Sequence, residues 1–473
     1  MLLLTPLYIL FLGVESYGLI GFYLSWIAIL GILDTGISAT AVREIAWYSA
    51  RPHEKQRIPV LLKTLEVLYW GFILILGIAI LIGAWFFGSG WFQLNDLPPD
   101  VVRDALMLMA VSLVVQVPSG LYIGGLMGLQ RQVECSVLLS FFGTFRGVGS
   151  IMVLWLIHPD IRIFFLWHII VSVLQTGVMR WSLWRKVSVG TSPTKFSLEM
   201  LQSIKLFAGN MMLITVMGVL MSQTDKIVLS RLTSLEMFGF YMLAWNVSSG
   251  LSRLATPLIQ AFGPHFTELV SKSDDERLEK QLRLASQLMS VLIIPPAILI
   301  MFLAKPLLLA WLGNEAASEG VAPILVILVV GVVFTSCSFP ALSVLYSKKR
   351  FKPVLAVNLI CLVTLLPLLI IFVINFGVIG AAFIWALYGL ILYLAFQAYG
   401  LQGLPNTSFF SSIIRDFVFP CITAFSVAGI AGYSLNETQA GLTFVFLFIL
   451  ALLLSWIAAL LSCTDLRKIV IGK

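Results

Sequence analysis

The sequence predicts an all-α integral membrane protein with about 14 transmembrane helices, and three observations support this fold class. The chain is 59% hydrophobic and only 11% charged, with a mean hydropathy of +1.00, whereas soluble domains carry about 25% charged residues. Many of its apolar stretches reach the roughly 18 residues that a helix needs to cross the bilayer. These stretches are continuous rather than alternating, which favours helices over a barrel, the other structure that satisfies the backbone in lipid.

The first long stretch sets the pattern for the others. Ser16 to Leu33 carries no charge, while Glu15 precedes it and Asp34 and Arg43 follow it. The run 353–414 is also uncharged and is long enough for two crossings, with a turn predicted at Asn375-Phe376-Gly377. Further charge-free runs recur at 67–95, 105–130, 206–224, 284–304, 320–347, 417–436 and 438–464, and weaker ones at 135–157, 163–179 and 237–263.

The basic residues predict the orientation of these helices. Connections on one side of the predicted membrane hold 23 of the 30 Lys and Arg, and those on the other side hold four, Arg103, Arg162, Arg231 and Lys305. Because cytoplasmic connections are enriched in basic residues, we expect the carboxy-terminal segment DLRKIVIGK to be cytoplasmic. The net charge of +7 then reflects membrane topology, and no nucleic-acid partner is indicated.

Sequence landmarks recur at a nearly constant offset. Glu15-Ser16-Tyr17-Gly18 resembles Glu236-Met237-Phe238-Gly239, and Pro118 and Pro340 are each followed by a basic turn. The repeating unit spans six predicted helices, and parallel repeats of this kind are characteristic of secondary transporters. We therefore predict two pseudo-symmetric six-helix lobes, at 1–195 and 196–402, followed by two extra helices and a cytoplasmic tail at 403–473.

The same offset bears on the start of the chain. The counterpart of the seventh helix, which begins near Lys205, would start roughly 16 residues before Met1. Residues 1–12 are therefore interpreted as the remainder of a truncated first helix, with a short re-entrant segment as the alternative.

Motifs that the sequence lacks exclude several kinds of chemistry. It contains no GxxxxGK[ST] motif for nucleotide binding and no HExxH or Cys/His cluster for a metal ion. Its five cysteines show no paired spacing, so no disulfide framework is indicated. We expect a protein that is not an enzyme and needs no cofactor.

Two arginines fall near the middle of predicted helices and are the main candidates for substrate binding. Arg146 lies in FFGTFRGVGS and Arg253 in SSGLSRLATP. A charge at that depth is unfavourable and normally faces a cavity or a partner. One hypothesis is a cationic cavity between the lobes, in which guanidinium groups bind phosphate. The alternative is a structural ion pair or hydrogen bonds to helix carbonyls.

Four other charged residues are weaker candidates. Asp225 and Lys226 lie in the outer half of the seventh helix and could face the cavity, or Lys226 could anchor the helix at the interface. Asp34 could bind a coupling ion or take part in gating with Arg43, although capping or an ion pair with Arg43 is the alternative. Uncharged polar residues could line a sugar path or could simply hydrogen-bond between helices: Gln116, Asn210, Gln223, Asn246, Gln260 and Asn358.

One segment carries a family resemblance. LGVESYGLIGFYLSWIAILGILDTGISATAVREIA resembles the first hairpin of the polysaccharide (oligosaccharide) flippases, the Wzx-like branch of the multidrug/oligosaccharidyl-lipid/polysaccharide exporter (MOP) superfamily. The matching residues are Leu12-Gly13, Glu15, Tyr17-Gly18, Leu33-Asp34, Gly36 and Arg43. SQTDKIVLSRL and NFGVIGAAFIWALYG resemble the seventh and twelfth helices of that family.

The resemblance implies a MATE-like pair of lobes in the bacterial inner membrane that moves a lipid-linked oligosaccharide from the inner to the outer leaflet. The cargo would be carried on undecaprenyl pyrophosphate and used for surface polysaccharide such as O-antigen or exopolysaccharide. Implied partners are membrane lipids, a polysaccharide polymerase and a chain-length regulator, and the last two helices could hold the lipid tail.

Two other functions remain open from the sequence. A cation-coupled multidrug antiporter of the same superfamily would need a well-buried acid in the first lobe, where helices three to six offer none at mid-depth. A membrane polysaccharide polymerase or ligase would need a sizeable extracytoplasmic loop, and the best loop here, residues 95–100, is short.

Overall fold

The computed structural model describes residues 4–187, 195–405, 408–436, 442–463 and 465–467, and nearly all of them are helical. Within these ranges the only extended pairing is an isolated bridge between Gln93 and Ser234. Nine of the described helical segments are long and apolar enough to cross a membrane. The prediction of an all-α polytopic membrane protein is therefore confirmed, whereas the count of 14 helices stays a prediction.

Fifteen α-helices are described along the chain, and they are α1 (Thr5–Ser49), α2 (Arg57–Trp91), α3 (Pro99–Gln116), α4 (Ser119–Gly128), α5 (Gln132–Leu156), α6 (Ile161–Lys186), α7 (Leu198–Leu232), α8 (Leu235–Ser271), α9 (Asp275–Phe302), α10 (Ala304–Leu312), α11 (Glu315–Ser347), α12 (Phe351–Gly400), α13 (Phe409–Ile413), α14 (Phe419–Asn436) and α15 (Leu442–Ser462). A π-helical turn, Ile414–Val418, joins α13 to α14.

Two of the longest helices are interrupted at a glycine. Gly13 in α1 has φ 77° and ψ 169°, and Gly377 in α12 has φ 59° and ψ −138°. Both lie in the left-handed half of the backbone map, which glycine adopts without the steric penalty of a side chain. Each glycine therefore joins two helical segments, and the break at Gly377 confirms the turn predicted at residues 375–377.

Polar side chains fix where several helices begin. Asp160 accepts a hydrogen bond from the backbone N–H of Arg162 at 2.7 Å, and Ser197 caps α7 through Met200 N–H at 3.2 Å. Asn314 caps α11 in the same way. Capping of this kind satisfies backbone donors that have no partner inside the helix.

Contacts divide the chain into two compact units, and the boundary in the sequence falls between Gly239 and Phe240. In the first unit α1 packs on α4 and α7, and α3 packs on α2 and α6. In the second unit α11 packs on α9 and α12, and the last helices, α14 and α15, pack on each other and on α9. The first unit extends beyond the lobe boundary at 195 because α7 packs along α1. The lobe boundaries from the repeat remain a prediction.

The two repeat-related segments of the sequence lie against each other inside the first unit. A Cβ atom on Gly18 would lie 2.5 Å from the backbone oxygen of Leu235, and one on Gly239 would lie 2.5 Å from that of Val14. Both distances are shorter than any real Cβ contact. Glycine at these two positions is therefore what allows the two backbones to approach so closely.

Glu15 of the same motif organises a loop. Its buried carboxylate accepts hydrogen bonds from the backbone N–H groups of Asn95, Asp96 and Leu97 at 2.8, 2.9 and 2.9 Å. These three donors belong to the connection between α2 and α3. The carboxylate thus fixes that connection against the start of the second segment of α1.

Candidate functional site

Arg146 of α5 projects into the interior of the first unit. Its Nη2 donates to Oε1 of Gln175 at 2.7 Å and to Oγ of Ser172 at 3.3 Å, both on α6. Its Nε is buried without a hydrogen-bond partner among the described residues. No described carboxylate forms a salt bridge with this guanidinium, so its positive charge is held by neutral groups alone.

More polar side chains surround Arg146. Tyr23 of α1 donates to Oε1 of Gln116 at 2.8 Å and shares a 2.9 Å hydrogen bond with Ser112 of α3. The fully buried His168 packs between the rings of Tyr23 and Phe164, with centroids 5.7 and 4.2 Å away. Both imidazole nitrogens of His168 lack a hydrogen-bond partner within the described part of the chain. Arg146 interacts electrostatically with Tyr23 and His168.

We call this set the Arg146 cluster, which consists of Tyr23, Ser112, Gln116, Arg146, His168, Ser172 and Gln175. The sequence identified Arg146, and it offered Gln116 as a path-lining or interhelical residue, which the bond from Tyr23 confirms as interhelical. It did not identify Tyr23 or His168. The signal was present, because polar residues recur at 112 and 116 and at 168, 172 and 175, and these spacings place each set on one helix face.

A second buried charge in the first unit, Glu66 of α2, was missed by the sequence reasoning. Its side chain is only 4% exposed. Its Oε1 accepts hydrogen bonds from Arg180 Nε at 2.8 Å, Trp184 Nε1 at 3.0 Å and Tyr122 OH at 3.0 Å, and Lys63 Nζ lies 3.5 Å from Oε2. We call these five residues the Glu66 cluster. Its carboxylate is fully satisfied by cations and neutral donors.

Asp225 and Lys226 of α7 bond to each other. Lys226 Nζ lies 3.0 Å from both carboxylate oxygens of Asp225 and 2.8 Å from the backbone oxygen of Ser222. The Lys226 side chain is 1% exposed and that of Asp225 is 7% exposed. The pair is therefore buried in the first unit with its charges matched. A role in substrate binding stays a prediction for both residues.

The remaining candidates are placed as follows. Arg253 of α8 belongs to the second unit, where its side chain is exposed and makes no salt bridge with a described carboxylate. Arg43 of α1 is 55% exposed and lies 3.8 Å from the carboxylate of Glu44. The side chain of Asp34 lies outside the described residues, so its predicted pairing with Arg43 stays a prediction. Of these candidates, Arg43, Arg146, Asp225 and Lys226 belong to the first unit, and Arg253 belongs to the second.

The extra carboxy-terminal helices are tied to the second unit by polar contacts. Gln287 of α9 donates from Nε2 to Asp416 at 2.9 Å and to Asp465 at 3.1 Å. Arg415 lies 3.0 Å from the Asp416 carboxylate, and both residues belong to the π-helical turn. These contacts anchor both ends of the α14–α15 pair to α9.

Two solved structures share the fold of this chain. The fold is similar to that of the lipid II flippase MurJ in its inward closed conformation, with a TM-score of 0.73 over 99% of this chain and 97% of that one, at 15% identity. It is also similar to an inward-facing multidrug resistance transporter of the MATE family, with a TM-score of 0.67 over 93% and 95% of the two chains, again at 15% identity. At this level of identity the likenesses show that the chain shares the fold of these two proteins.

The sequence comparisons define the family more closely. The model of the polysaccharide biosynthesis protein family matches residues 1–270, and that of the MatE family matches residues 211–371. A Shigella flexneri protein named "Putative O-antigen transporter" is 19% identical over 389 residues, which cover 80% of this chain and 87% of that protein. The chain belongs to the polysaccharide biosynthesis protein family.

Proposed function

We propose that this multi-pass membrane protein flips an oligosaccharide linked to undecaprenyl pyrophosphate from the inner to the outer leaflet of the bacterial cytoplasmic membrane. The cargo would serve surface polysaccharide synthesis, and the carboxy terminus would be cytoplasmic. The family and the relative with an O-antigen name support the class of cargo. The observation that carries the proposal is the charge of Arg146, which no described carboxylate neutralises.

The chemistry of Arg146 suits an anionic head group. A lone guanidinium at mid-depth costs at least ~2.5 kcal/mol on insertion scales, so its retention without an acid indicates a polar, hydrated environment or an anionic ligand. Its contacts are neutral amide and hydroxyl groups, which a phosphate could replace without separating an ion pair. Guanidinium also binds phosphate in a bidentate manner.

Other candidates take supporting roles in the proposal. Arg253 would provide a second cation for the head group from the second unit. Asp225 and Lys226 would contact the sugar or hold α7 in place, and Asp34 and Arg43 would take part in ion coupling or gating. A polymerase and a chain-length regulator would act on the flipped product.

The test is export of lipid-linked sugar in a flippase-null host, with membrane abundance measured alongside. We expect Arg146→Gln and Arg253→Gln to abolish most export at normal abundance. Arg→Lys at either position should retain part of the export, because the charge remains but the bidentate hydrogen-bonding geometry of guanidinium is lost. Arg277→Gln serves as a control that makes the same substitution at a side chain that is 77% exposed and pairs with Asp274. Wild-type export by both Gln variants would contradict the proposal, and loss of export in step with abundance would show a structural role.

A multidrug antiporter is the second candidate, favoured by the match of the MatE model to residues 211–371. Such a transporter would need a buried acid that is free to bind a cation. Glu66 and Asp225 are buried, but they already accept hydrogen bonds from Arg180 and Lys226. We therefore expect no efflux of cationic dyes by the purified protein in proteoliposomes, and efflux driven by an ion gradient would favour the antiporter.

A further inference from the structure

An apolar groove of about 650 Å³ lies in the first unit, between α1, α2, α3 and the end of α7. Its walls include Phe22 and Trp26 of α1, Ala79 and Gly83 of α2, and Phe92 just beyond α2. The groove is separate from the Arg146 cluster, with which it shares no lining residue. It also lies far along the chain from the last two helices, which the family resemblance associates with a lipid tail.

Small residues on α2 form the floor of the groove, and its surroundings are apolar. Ala79 and Gly83 lie one helical turn apart, and a Cβ atom on Gly83 would touch nothing within 4 Å. Ile78, Ile82 and Trp85, which flank these positions, are 56, 53 and 57% exposed. Exposed apolar side chains on a membrane-spanning helix suit contact with the hydrocarbon of the bilayer, so the flank of the groove is a surface that a lipid chain can contact.

One cation lies at the end of the groove. Arg231 donates from Nη1 to the backbone oxygens of Gly90 at 2.6 Å and Trp91 at 3.0 Å, and its guanidinium lies 5.9 Å from the centre of the Trp91 ring. In the part of the chain that the structure describes, no carboxylate pairs with it, and its Nε and Nη2 donate to no protein acceptor. The nearby polar loop at residues 95–97, which is tied to Glu15, is the kind of segment found at a membrane surface.

A second groove in the same unit provides a contrast. It measures about 550 Å³ and is lined by Arg162, Asp104 and Asp160 among apolar residues. Arg162 lies 2.7 Å from Asp160 and 3.6 Å from Asp104. Burial raises the pKa of Asp160, but hydrogen bonds and charge from Arg162 outweigh it and lower the pKa below its usual value. The cation of this groove is therefore neutralised by carboxylates, whereas Arg231 is not.

We infer that the first groove binds an anionic phospholipid, with an acyl chain along Ala79 and Gly83 and the head-group phosphate on Arg231. The apolar walls and the apolar flank of the groove require a hydrocarbon occupant. The unneutralised guanidinium at the polar end requires a negative charge at the level of the head groups. A zwitterionic lipid would bind less tightly, because the cation of its own head group would lie near Arg231.

The experiment is native mass spectrometry of the purified full chain supplied with phosphatidylglycerol or phosphatidylcholine of identical acyl chains. We expect the wild type to retain phosphatidylglycerol about tenfold better than phosphatidylcholine, the size of effect expected for one charge-assisted contact. Arg231→Gln should abolish this preference. Gly83→Leu and Ala79→Leu should each reduce retention of phosphatidylglycerol about tenfold by filling the groove.

Two matched controls keep the test specific. Gly71→Leu adds the same side chain to an exposed position of α2 that also has no neighbour within 4 Å but lies outside the groove. Arg162→Gln removes a cation that carboxylates already neutralise. Both should bind phosphatidylglycerol as the wild type does, and helix content should be unchanged in every variant.

Three outcomes would overturn the inference. Wild-type retention in both groove-filling variants would show that the lipid binds elsewhere, and an unchanged preference in Arg231→Gln would remove the role of that cation. If undecaprenyl phosphate displaces phosphatidylglycerol at equal or lower concentration, the groove belongs to the carrier lipid rather than to a phospholipid.

Discussion

The first unit holds Glu66 and Arg146, two charges of opposite sign whose surroundings differ. Glu66 receives a guanidinium, an indole and a phenol on a single oxygen, and an ammonium lies beside the other. The Arg146 side chain donates only to an amide oxygen and a hydroxyl, and one of its nitrogens has no described partner. Removing a partner from a buried ion pair leaves an uncompensated charge, so substitutions in the Glu66 cluster should act on stability.

The difference indicates which charge is available for a ligand. A phosphate that approached Glu66 would meet a carboxylate whose donors are already engaged. A phosphate that approached Arg146 would meet an uncompensated cation and neutral side chains that can exchange partners. Four substitutions test this comparison, and we take them from the largest expected effect to the smallest.

Gln175→Glu converts the Arg146 cluster into a neutralised pair like that of Glu66. The new carboxylate would take the place of the amide oxygen that now lies 2.7 Å from Arg146 Nη2. We expect export to fall at least about tenfold, because an ion pair would compete with the cargo phosphate, while the melting temperature stays the same or rises. Gln132→Glu, which adds the same charge at an exposed position of α5, should export normally, and normal export by Gln175→Glu itself would contradict the comparison.

Glu66→Gln is the reciprocal change and should act on stability. Loss of one partner of a buried pair costs about 3–5 kcal/mol, and we expect about 2–3 kcal/mol here because the Arg180 side chain is 51% exposed. Lower membrane abundance and a lower melting temperature would show this, with export per molecule preserved. The double variant Glu66→Gln/Arg180→Gln should recover part of the loss, and a loss equal to the sum of the single losses would argue against direct coupling.

His168→Phe separates packing from polarity in the Arg146 cluster. Neither imidazole nitrogen bonds to a described residue, and an unpaired buried polar group costs about 1–3 kcal/mol. We therefore expect a melting temperature equal to or above that of the wild type, together with a several-fold loss of export because the cluster loses polar groups. A lower melting temperature would instead assign the imidazole a structural hydrogen bond.

Lys63→Gln should have the smallest effect. Lys63 is 39% exposed and lies 3.5 Å from Glu66, whose other donors are closer. An exposed cation of this kind contributes less than about 0.5–1 kcal/mol. Thermal unfolding and export should both match the wild type, and a loss comparable with that of Glu66→Gln would mean that Lys63 rather than Arg180 neutralises the carboxylate.

The same two charges show how far sequence reasoning reached. Arg146 was identified because it interrupts the otherwise uncharged run at 135–157. Glu66 was missed because it lies three residues from Lys63, at the edge of a charge-free run, where charges are normally solvated. Its true partner, Arg180, is 114 residues away, and no local pattern connects the two.

Adjacent charges gave a different lesson. Side chains at consecutive helix positions point about 100° apart, which does not suggest that Asp225 and Lys226 contact each other. In the structure they bond to each other, because the flexible Lys226 side chain curls back to the Asp225 carboxylate and to Ser222. The angular position of a residue on its helix did not reveal where the end of a long side chain would lie.

The sequence by itself determined the membrane class and the position of the break at Gly377, because these depend on hydrophobic length and on local backbone preference. It also placed Glu15 just before the first long charge-free run. Only the tertiary structure decided what Glu15 binds, which buried charge is neutralised and where Arg231 meets an apolar groove. Those features depend on contacts between residues far apart in the chain, and in a bilayer the energy of a charge is set by such neighbours rather than by its own position in the sequence.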